Sequence, residues 1–293
     1  KGDAMKDLKK MIADGDQVLG AGVKYGSGKE DIEKLLDYYD YDFISIDGQH
    51  SPTNEDYLLK ICEAAYELDK PISYRMDHRR HAYLIGNLLD HGPTMIEVPQ
   101  SEEVELVKEA RDYFYYKPEG VRSWGGPGRP PEGLKEVDQH TYPAWWNKTG
   151  ILMIQIETLN AINNIPNFSV EGVDCFSWGP ADLSIDRAAH PEHPFAKTNE
   201  TAIEHAATLC KANGKKLCIR SSDKTLRNRY FDLGADILIE VPSPPINILS
   251  YFGYDKELLM HQHMMKYFKM LIVFMAFTAV PIYFYRDKKI PIK

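Results

Sequence analysis

The stretch Phe43-Ile44-Ser45-Ile46-Asp47-Gly48-Gln49-His50 joins a short apolar run to a polar turn. Seven further runs of this kind follow or precede it, and amphipathic stretches with helical spacing separate them. Strands that alternate with helices pair in parallel, because each crossover needs a helix to bring the chain back. Eight such units favour a closed (βα)8 TIM barrel of class α/β over an open sheet. The predicted strands are residues 17–23, 42–46, 71–74, 94–98, 151–156, 175–178, 216–219 and 237–240.

The size and charge of the chain limit its function. Its 293 residues suit a single barrel of this type, which usually needs about 250 residues. The formal net charge of -8 argues against a nucleic-acid partner, because phosphate binding needs a basic surface. We expect the four cysteines to be reduced core residues, since they form no CxxC pair: Cys62, Cys175, Cys210 and Cys218.

Carboxylates follow two of the predicted strands, at the end of a barrel where active sites lie. Gln155 and Glu157 are two residues apart, so both side chains project to the same side of the fifth strand. Glu157 could then meet Asp182, which follows the sixth strand, over the barrel mouth. Two carboxylates with water suit Mg²⁺ or Mn²⁺. The alternative is a pair of charges neutralised by Arg75 or Arg220.

A histidine and an arginine also follow predicted strands. His50 is a candidate general base, because its ordinary pKa of about 6.5 lies near neutrality, and Asp47 could orient it. The alternative is an ordinary histidine on a polar loop. Arg75 could hold a carboxylate or an enolate oxygen, or else form a structural ion pair.

Three stretches together resemble the HpcH/HpaI family of class II, metal-dependent aldolases. They are the segment 43–50, the strand end Gln155-Ile156-Glu157-Thr158, and the segment Gly179-Pro180-Ala181-Asp182-Leu183-Ser184, which is the most specific. The matching landmarks occur in family order over about residues 15–245.

The resemblance implies a reaction and roles for individual residues. The reaction would be reversible cleavage of a 4-hydroxy-2-oxo acid to pyruvate, or a close analogue, and an aldehyde. Glu157 and Asp182 would bind the divalent metal, and Arg75 would stabilise the enolate oxygen. His50, paired with Asp47, would move the proton through a metal-bound water. Beside the metal, the substrate-binding residues would be Arg75, Gln155, Gly179, Pro180 and Ala181.

The sequence departs from the family pattern at several positions. Gln49 stands where the family has Glu, and Trp178 stands where it has an aliphatic residue, so we expect Trp178 to narrow the pocket. Glu97 is a carboxylate where the family is apolar, and it could be either a substrate contact or a surface charge. The family helix that packs on a neighbouring subunit is not recognisable after Val241.

A long segment, residues 113–148, is rich in glycine, proline and aromatic residues and has no strong period. Loops of this length in a compact domain are usually functional or disordered. On the strand side of the barrel it would form a lid or a subunit contact. We expect Tyr74, Trp124, Trp178 and the segment 142–146 to shape the pocket.

The last residues differ in character, so we predict a barrel domain at 1–245 and a tail at 246–293. Residues 270–285 contain no charge, and residues 267–285 approach the length of about 20 residues that a membrane-spanning helix needs. Tyrosines at both ends and a charged stretch after the run favour a single C-terminal transmembrane helix and a membrane-associated barrel. The alternative is a buried or oligomer-forming helix.

Three functions are compatible with these features. The first is an active aldolase on a membrane-tethered barrel, a homo-oligomer acting on a small keto acid and releasing an aldehyde. The second is an aldolase-derived barrel that serves as a structural subunit of a membrane complex. The tail, Gln49 and the unrecognisable subunit-packing helix favour it. The third is a metal-dependent binding protein for keto acids. Arg75, Gln155, Glu157 and Asp182 favour the first, because a barrel without catalysis has no reason to keep buried carboxylates.

Overall fold

The computed structural model describes residues 6–37, 39–128 and 136–241. Eight parallel strands close into a barrel in which each strand pairs with the next and the last pairs with the first. The predicted (βα)8 barrel is therefore confirmed. The strands are β1 Val18–Val23, β2 Phe43–Asp47, β3 Ile72–Arg75, β4 Met95–Val98, β5 Ile151–Ile156, β6 Cys175–Trp178, β7 Lys216–Ser221 and β8 Ile237–Glu240.

Helices follow the strands along the chain and cover the outside of the barrel. A 3-10 helix, Arg79–Leu84, precedes α4, and a second, Lys224–Leu226, precedes α11. The α-helices are α1 Leu8–Asp14, α2 Lys29–Leu36, α3 Glu55–Tyr66, α4 Ile85–Asp90, α5 Val104–Phe114, α6 Thr141–Thr149, α7 Leu159–Asn163, α8 Ile165–Phe168, α9 Pro180–Ala189, α10 Asn199–Ala212 and α11 Arg227–Asp232.

The lower part of the barrel interior is apolar. Side chains that alternate along the strands meet there in one cluster, closed from below by Leu8 and Ile12 of α1. Gly20 makes room for this packing, because a Cβ at that position would lie 2.2 Å from the Phe43 ring. As predicted, the four cysteines are free and buried.

The upper part of the interior is polar, and its layers follow from the strand registers. In barrels of this type alternate strands fill each layer. The odd strands contribute Gly22, Arg75, Gln155 and Arg220. These four residues pair in register with the even-strand residues of the layer below, which are Ser45, Glu97, Ser177 and Ile239. The upper layer forms the floor of the barrel mouth, and we call it the floor layer.

The described parts of the long segment, residues 113–128 and 136–148, do not lie on the side that the sequence suggested. The segment leaves α5 and enters α6 just ahead of β5, so its described parts belong to the amino-terminal end of the strands. The Trp124 ring packs there against Tyr142 at 5.3 Å and Tyr116 at 6.1 Å. The expectation of a lid over the active site was therefore wrong, and so was the pocket role of these aromatic residues.

The Trp178 side chain also does not line the pocket, although this had been expected. It alternates with Ser177, which faces the barrel interior, so the fully buried indole lies between the sheet and the helices. It does not narrow the mouth.

The candidate transmembrane helix at 267–285 and the predicted domain boundary at 245/246 lie outside the described residues. Within residues 6–37, 39–128 and 136–241, no helix has the length and apolar character needed to cross a membrane.

Candidate active site

Asp47 and Arg75 end adjacent strands and are register partners. Arg75 donates from Nε to Asp47 Oδ1 at 2.9 Å and from Nη2 to Asp47 Oδ2. Burial alone would raise the pKa of the Asp47 carboxyl, but hydrogen bonds and the charge of Arg75 outweigh it and hold that pKa below its usual range. Asp47 is thus a carboxylate that fixes the guanidinium, which is a different partner from the one that the sequence suggested.

His50 lies on the loop after β2 and is exposed. Its backbone N–H and that of Gln49 donate to Asp47 Oδ1, at 3.3 and 3.0 Å. Asp47 therefore orders the loop backbone, and in the described part of the chain no hydrogen bond links its carboxylate to the imidazole. The predicted His50–Asp47 pairing through side chains is not found.

Glu157 follows β5 directly and is almost fully buried, with an exposed fraction of 3%. Its Oε2 accepts a hydrogen bond from the backbone N–H of Gln100 at 2.9 Å. Burial raises the pKa of Glu157 most, and the charge of the nearby Asp182 carboxylate raises it further, to about 7. The two predicted metal ligands are thus near enough at the mouth for the charge of Asp182 to act on Glu157.

Gly179 allows this arrangement. A Cβ at Gly179 would lie 2.4 Å from Cγ and 2.6 Å from Oε1 of Glu157, so any side chain there would displace the carboxylate. The glycine also caps α9, whose first turn holds Asp182.

The two carboxylates fit a divalent cation. Their mutual repulsion raises a pKa that a cation between them would lower again, and carboxylate oxygens are the ligands that Mg²⁺ and Mn²⁺ prefer. Within the described ranges, no three His, Cys, Asp or Glu side chains gather in a way that could hold a metal. A cation here would therefore take its other ligands from substrate and water, as Mg²⁺ commonly does.

The amino terminus of α9 offers a place for an anion. Pro180 begins the helix and has no backbone N–H, so the donors without an acceptor within the helix are those of Ala181 and Asp182. Such a terminus favours a carboxylate. The predicted substrate-binding residues Gly179, Pro180 and Ala181 thus lie beside Glu157.

Gln155 is fully buried in the floor layer. Arg75 Nη1 donates to its Oε1 at 3.5 Å, whereas its Nε2 has no hydrogen-bond partner. A buried amide donor without a partner is unusual in proteins, and it indicates a polar atom supplied by a ligand or water.

The roles of Glu97 and Arg220 were missed by sequence reasoning. Glu97 is fully buried inside the barrel, where it forms an ion pair with Arg220 and accepts a hydrogen bond from Ser177 Oγ at 2.6 Å. The interpretation of Glu97 as a surface charge was therefore wrong. The signal was available, because Glu97 alternates with the interior residue Met95 along β4.

Glu240, which ends β8, does not join the mouth. It faces outward, where it accepts hydrogen bonds from Tyr41 Oη at 2.9 Å and from two nitrogens of Arg227 at 2.7 Å each. Its side chain is therefore part of the outer packing of β8.

The family model and the curated relatives that match this chain point to the same family of aldolases. The family model described as HpcH/HpaI aldolase/citrate lyase matches residues 26–237. A 4-hydroxy-2-oxo-heptane-1,7-dioate aldolase of Escherichia coli is 31% identical over 205 residues, which are 69% of this chain and 76% of the relative. The enzyme of the same name from Salmonella arizonae is 30% identical over 198 residues, 67% of this chain and 73% of the relative.

Solved structures share the fold. An HpcH/HpaI aldolase from Desulfitobacterium hafniense superposes with a TM-score of 0.69 at 21% identity, covering 90% of this chain and 96% of that one. Macrophomate synthase also gives a TM-score of 0.69 at 21% identity, covering 89% and 90%. At such identities the likeness concerns the barrel alone.

Proposed function

Because the chain belongs to the HpcH/HpaI aldolase/citrate lyase family, we propose that it is a metal-dependent class II aldolase. The reaction is reversible cleavage of a 4-hydroxy-2-oxo acid to pyruvate, or a close analogue, and an aldehyde. The observation that carries the proposal is the buried Glu157, held beside Asp182 above a floor that contains Arg75 and Gln155.

Glu157 and Asp182 would hold Mg²⁺ or Mn²⁺, which when bound supplies a Lewis acid for the keto group. The amino terminus of α9 binds the substrate carboxylate through the backbone N–H groups of its first turn. Gln155 donates a hydrogen bond from Nε2 to an oxygen of the keto acid, which gives this buried donor a partner.

His50 accepts the proton of the 4-hydroxyl group, and the bond between C3 and C4 then breaks. The carbonyl of the aldehyde forms at C4, while the bonding electrons move to the keto acid as an enolate. Arg75, already fixed by Asp47, donates to the enolate oxygen and stabilises its charge. Return of the proton from His50 to C3 completes the 2-oxo acid product and restores the base.

The test is pyruvate release from a panel of 4-hydroxy-2-oxo acids with Mg²⁺ or Mn²⁺. We expect metal-dependent release that Glu157→Gln abolishes. Glu200→Gln is the matched control, because Glu200 pairs with Arg229 on the exposed surface. Absence of release with every substrate, from folded protein that also fails to bind metal, would reject the aldolase.

The alternative, a structural subunit of a membrane complex, depends on the tail beyond the described residues. The same experiment separates the two functions, because a barrel that serves only as a subunit releases no pyruvate.

A further inference from the structure

The proposed reaction leaves one charged pair of the barrel mouth without a role. Arg220 ends β7 and binds Glu97 through Nη2, with Nε 3.4 Å from Glu97 Oε1. Its side chain is 16% exposed, whereas that of Glu97 is completely buried. Ser177 supplies the further hydrogen bond that the Glu97 carboxylate accepts. The carboxylate thus holds the guanidinium from the layer below.

Arg220 lies in the floor layer, together with Arg75 and Gln155. Arg75 is on β3 and Arg220 on β7, so the two guanidinium groups come from strands on opposite sides of the eight-stranded barrel. Gln155 on β5 lies between them. The fourth position of the layer is Gly22, which has no side chain. A small ligand on this floor therefore meets a guanidinium on either side.

Packing alone gives no reason for this pair. Removing two charges from water is costly, and apolar residues of similar volume stabilise a core as well or better. In the described part of the chain, the Nη1 group of Arg220 has no hydrogen-bond acceptor, while Glu97 occupies the other side of the guanidinium. A guanidinium that is anchored from below and keeps donors free is arranged for binding a carboxylate.

We propose that Arg220, positioned by Glu97, binds a second carboxylate of the substrate, on the keto-acid half. The site then prefers 2-oxo dicarboxylic acids to 2-oxo monocarboxylic acids. The proposal rests on the proposed function for one point, the contact of Arg75 with the keto oxygen. Because Arg220 shares the floor layer with Arg75, it reaches the fragment that carries the keto group rather than the aldehyde that leaves toward the open mouth.

Equilibrium binding tests this without depending on turnover. Two matched pairs of probes differ only by a methyl group in place of a carboxylate: 2-oxobutanoate against oxaloacetate, and 2-oxopentanoate against 2-oxoglutarate. With Mg²⁺ present, we expect the wild type to bind the dicarboxylate at least about tenfold more tightly in one pair, as for a charged hydrogen bond. Arg220→Met should reduce that ratio to about twofold or less, and Arg220→Lys should retain part of it.

Two further variants control for charge and for folding. Arg227→Met removes the same charge from an arginine that pairs with Glu240 on the outside of the barrel, and it should leave the ratio unchanged. The double variant Glu97→Gln/Arg220→Met removes the pair as a unit, so that no buried carboxylate loses its partner, and it should lose the preference as Arg220→Met does.

The proposal is overturned if the wild type binds both members of each pair equally, or binds none of them, or if Arg220→Met keeps the preference. A protein that binds dicarboxylates as proposed but is not an aldolase would give a different combination of results. In that case the dicarboxylate preference depends on Arg220, but no 4-hydroxy-2-oxo acid releases pyruvate or an analogue.

Discussion

Asp47 and Arg75 meet at the ends of β2 and β3, where one carboxylate binds two nitrogens of one guanidinium. The same carboxylate accepts the backbone N–H groups of Gln49 and His50. One side chain therefore fixes both the group that would stabilise the enolate and the loop that carries the candidate base. The site is ordered by its own residues before a substrate arrives.

Asp47→Asn should lower kcat by about 10–100-fold with a smaller change in KM, because the effect falls on charge that develops in the transition state. Steady-state pyruvate release measures both constants. The matched control is Asp90→Asn, since Asp90 binds Arg122 away from the mouth and should change stability rather than kcat. An unchanged kcat in Asp47→Asn would show that Arg75 acts without being held by Asp47.

Gly179→Ala should weaken metal binding by at least about tenfold, because the added Cβ would lie 2.4 Å from Cγ of Glu157. The displacement should also cost about 1–3 kcal/mol of folding stability. Titration with Mn²⁺ followed by electron paramagnetic resonance gives the affinity. Gly28→Ala is the comparison, since nothing lies within 4 Å of a Cβ at Gly28, and it should bind Mn²⁺ as the wild type does.

Glu157→Gln should stabilise the metal-free protein at alkaline pH. The pKa of Glu157 is raised from 4.5 to about 7, so its folded form holds the proton more tightly than the unfolded form. The folding stability of the wild type is therefore unaffected by this group below pH 4.5, where Glu157 is protonated in both states. It falls as pH rises to about 7, because the unfolded chain loses this proton first. The amide does not titrate, so at pH 8 the variant should gain up to about 3 kcal/mol relative to the wild type, and close to nothing at pH 4.5.

Urea unfolding with a chelator present, at several pH values, measures this difference. An excess of Mn²⁺ should make the wild type more stable than Glu157→Gln at pH 8, because only the wild type is then stabilised by metal binding. Equal stabilities at pH 8 without metal would mean that burial and the charge of Asp182 do not raise the pKa of Glu157.

The barrel itself was predictable from sequence, because short apolar or β-branched runs alternate with amphipathic stretches of helical spacing. Alternation also placed Gln155 and Glu157 correctly on one side of β5. The partners of charged groups were not predictable in the same way. Asp47 was expected to pair with His50, three residues away, but the parallel register of β2 and β3 brings it to Arg75. Strand register is a property of the closed barrel and cannot be deduced from one strand.

Glu97 illustrates the same limit. Its position on β4 indicates an interior side chain, but its partner Arg220 is 123 residues away and reaches it across the barrel. The long aromatic segment was misplaced for another reason. Its composition predicts a functional loop equally well at either end of a barrel, and only its order after α5 and before β5 places it at the amino-terminal end.

Trp124→Ala should therefore leave kcat and KM unchanged within about twofold while lowering stability. The indole packs against Tyr116 and Tyr142 at the amino-terminal end of the strands, far from the side where Glu157 and Arg75 lie. Since the ring is only half-buried, we expect a loss of about 1–3 kcal/mol, below the value for a fully buried tryptophan. Urea unfolding gives the stability, and pyruvate release gives the kinetic constants. A rise in KM with unchanged stability would instead return this aromatic residue to the substrate pocket and contradict the assignment of the segment to the opposite end of the barrel.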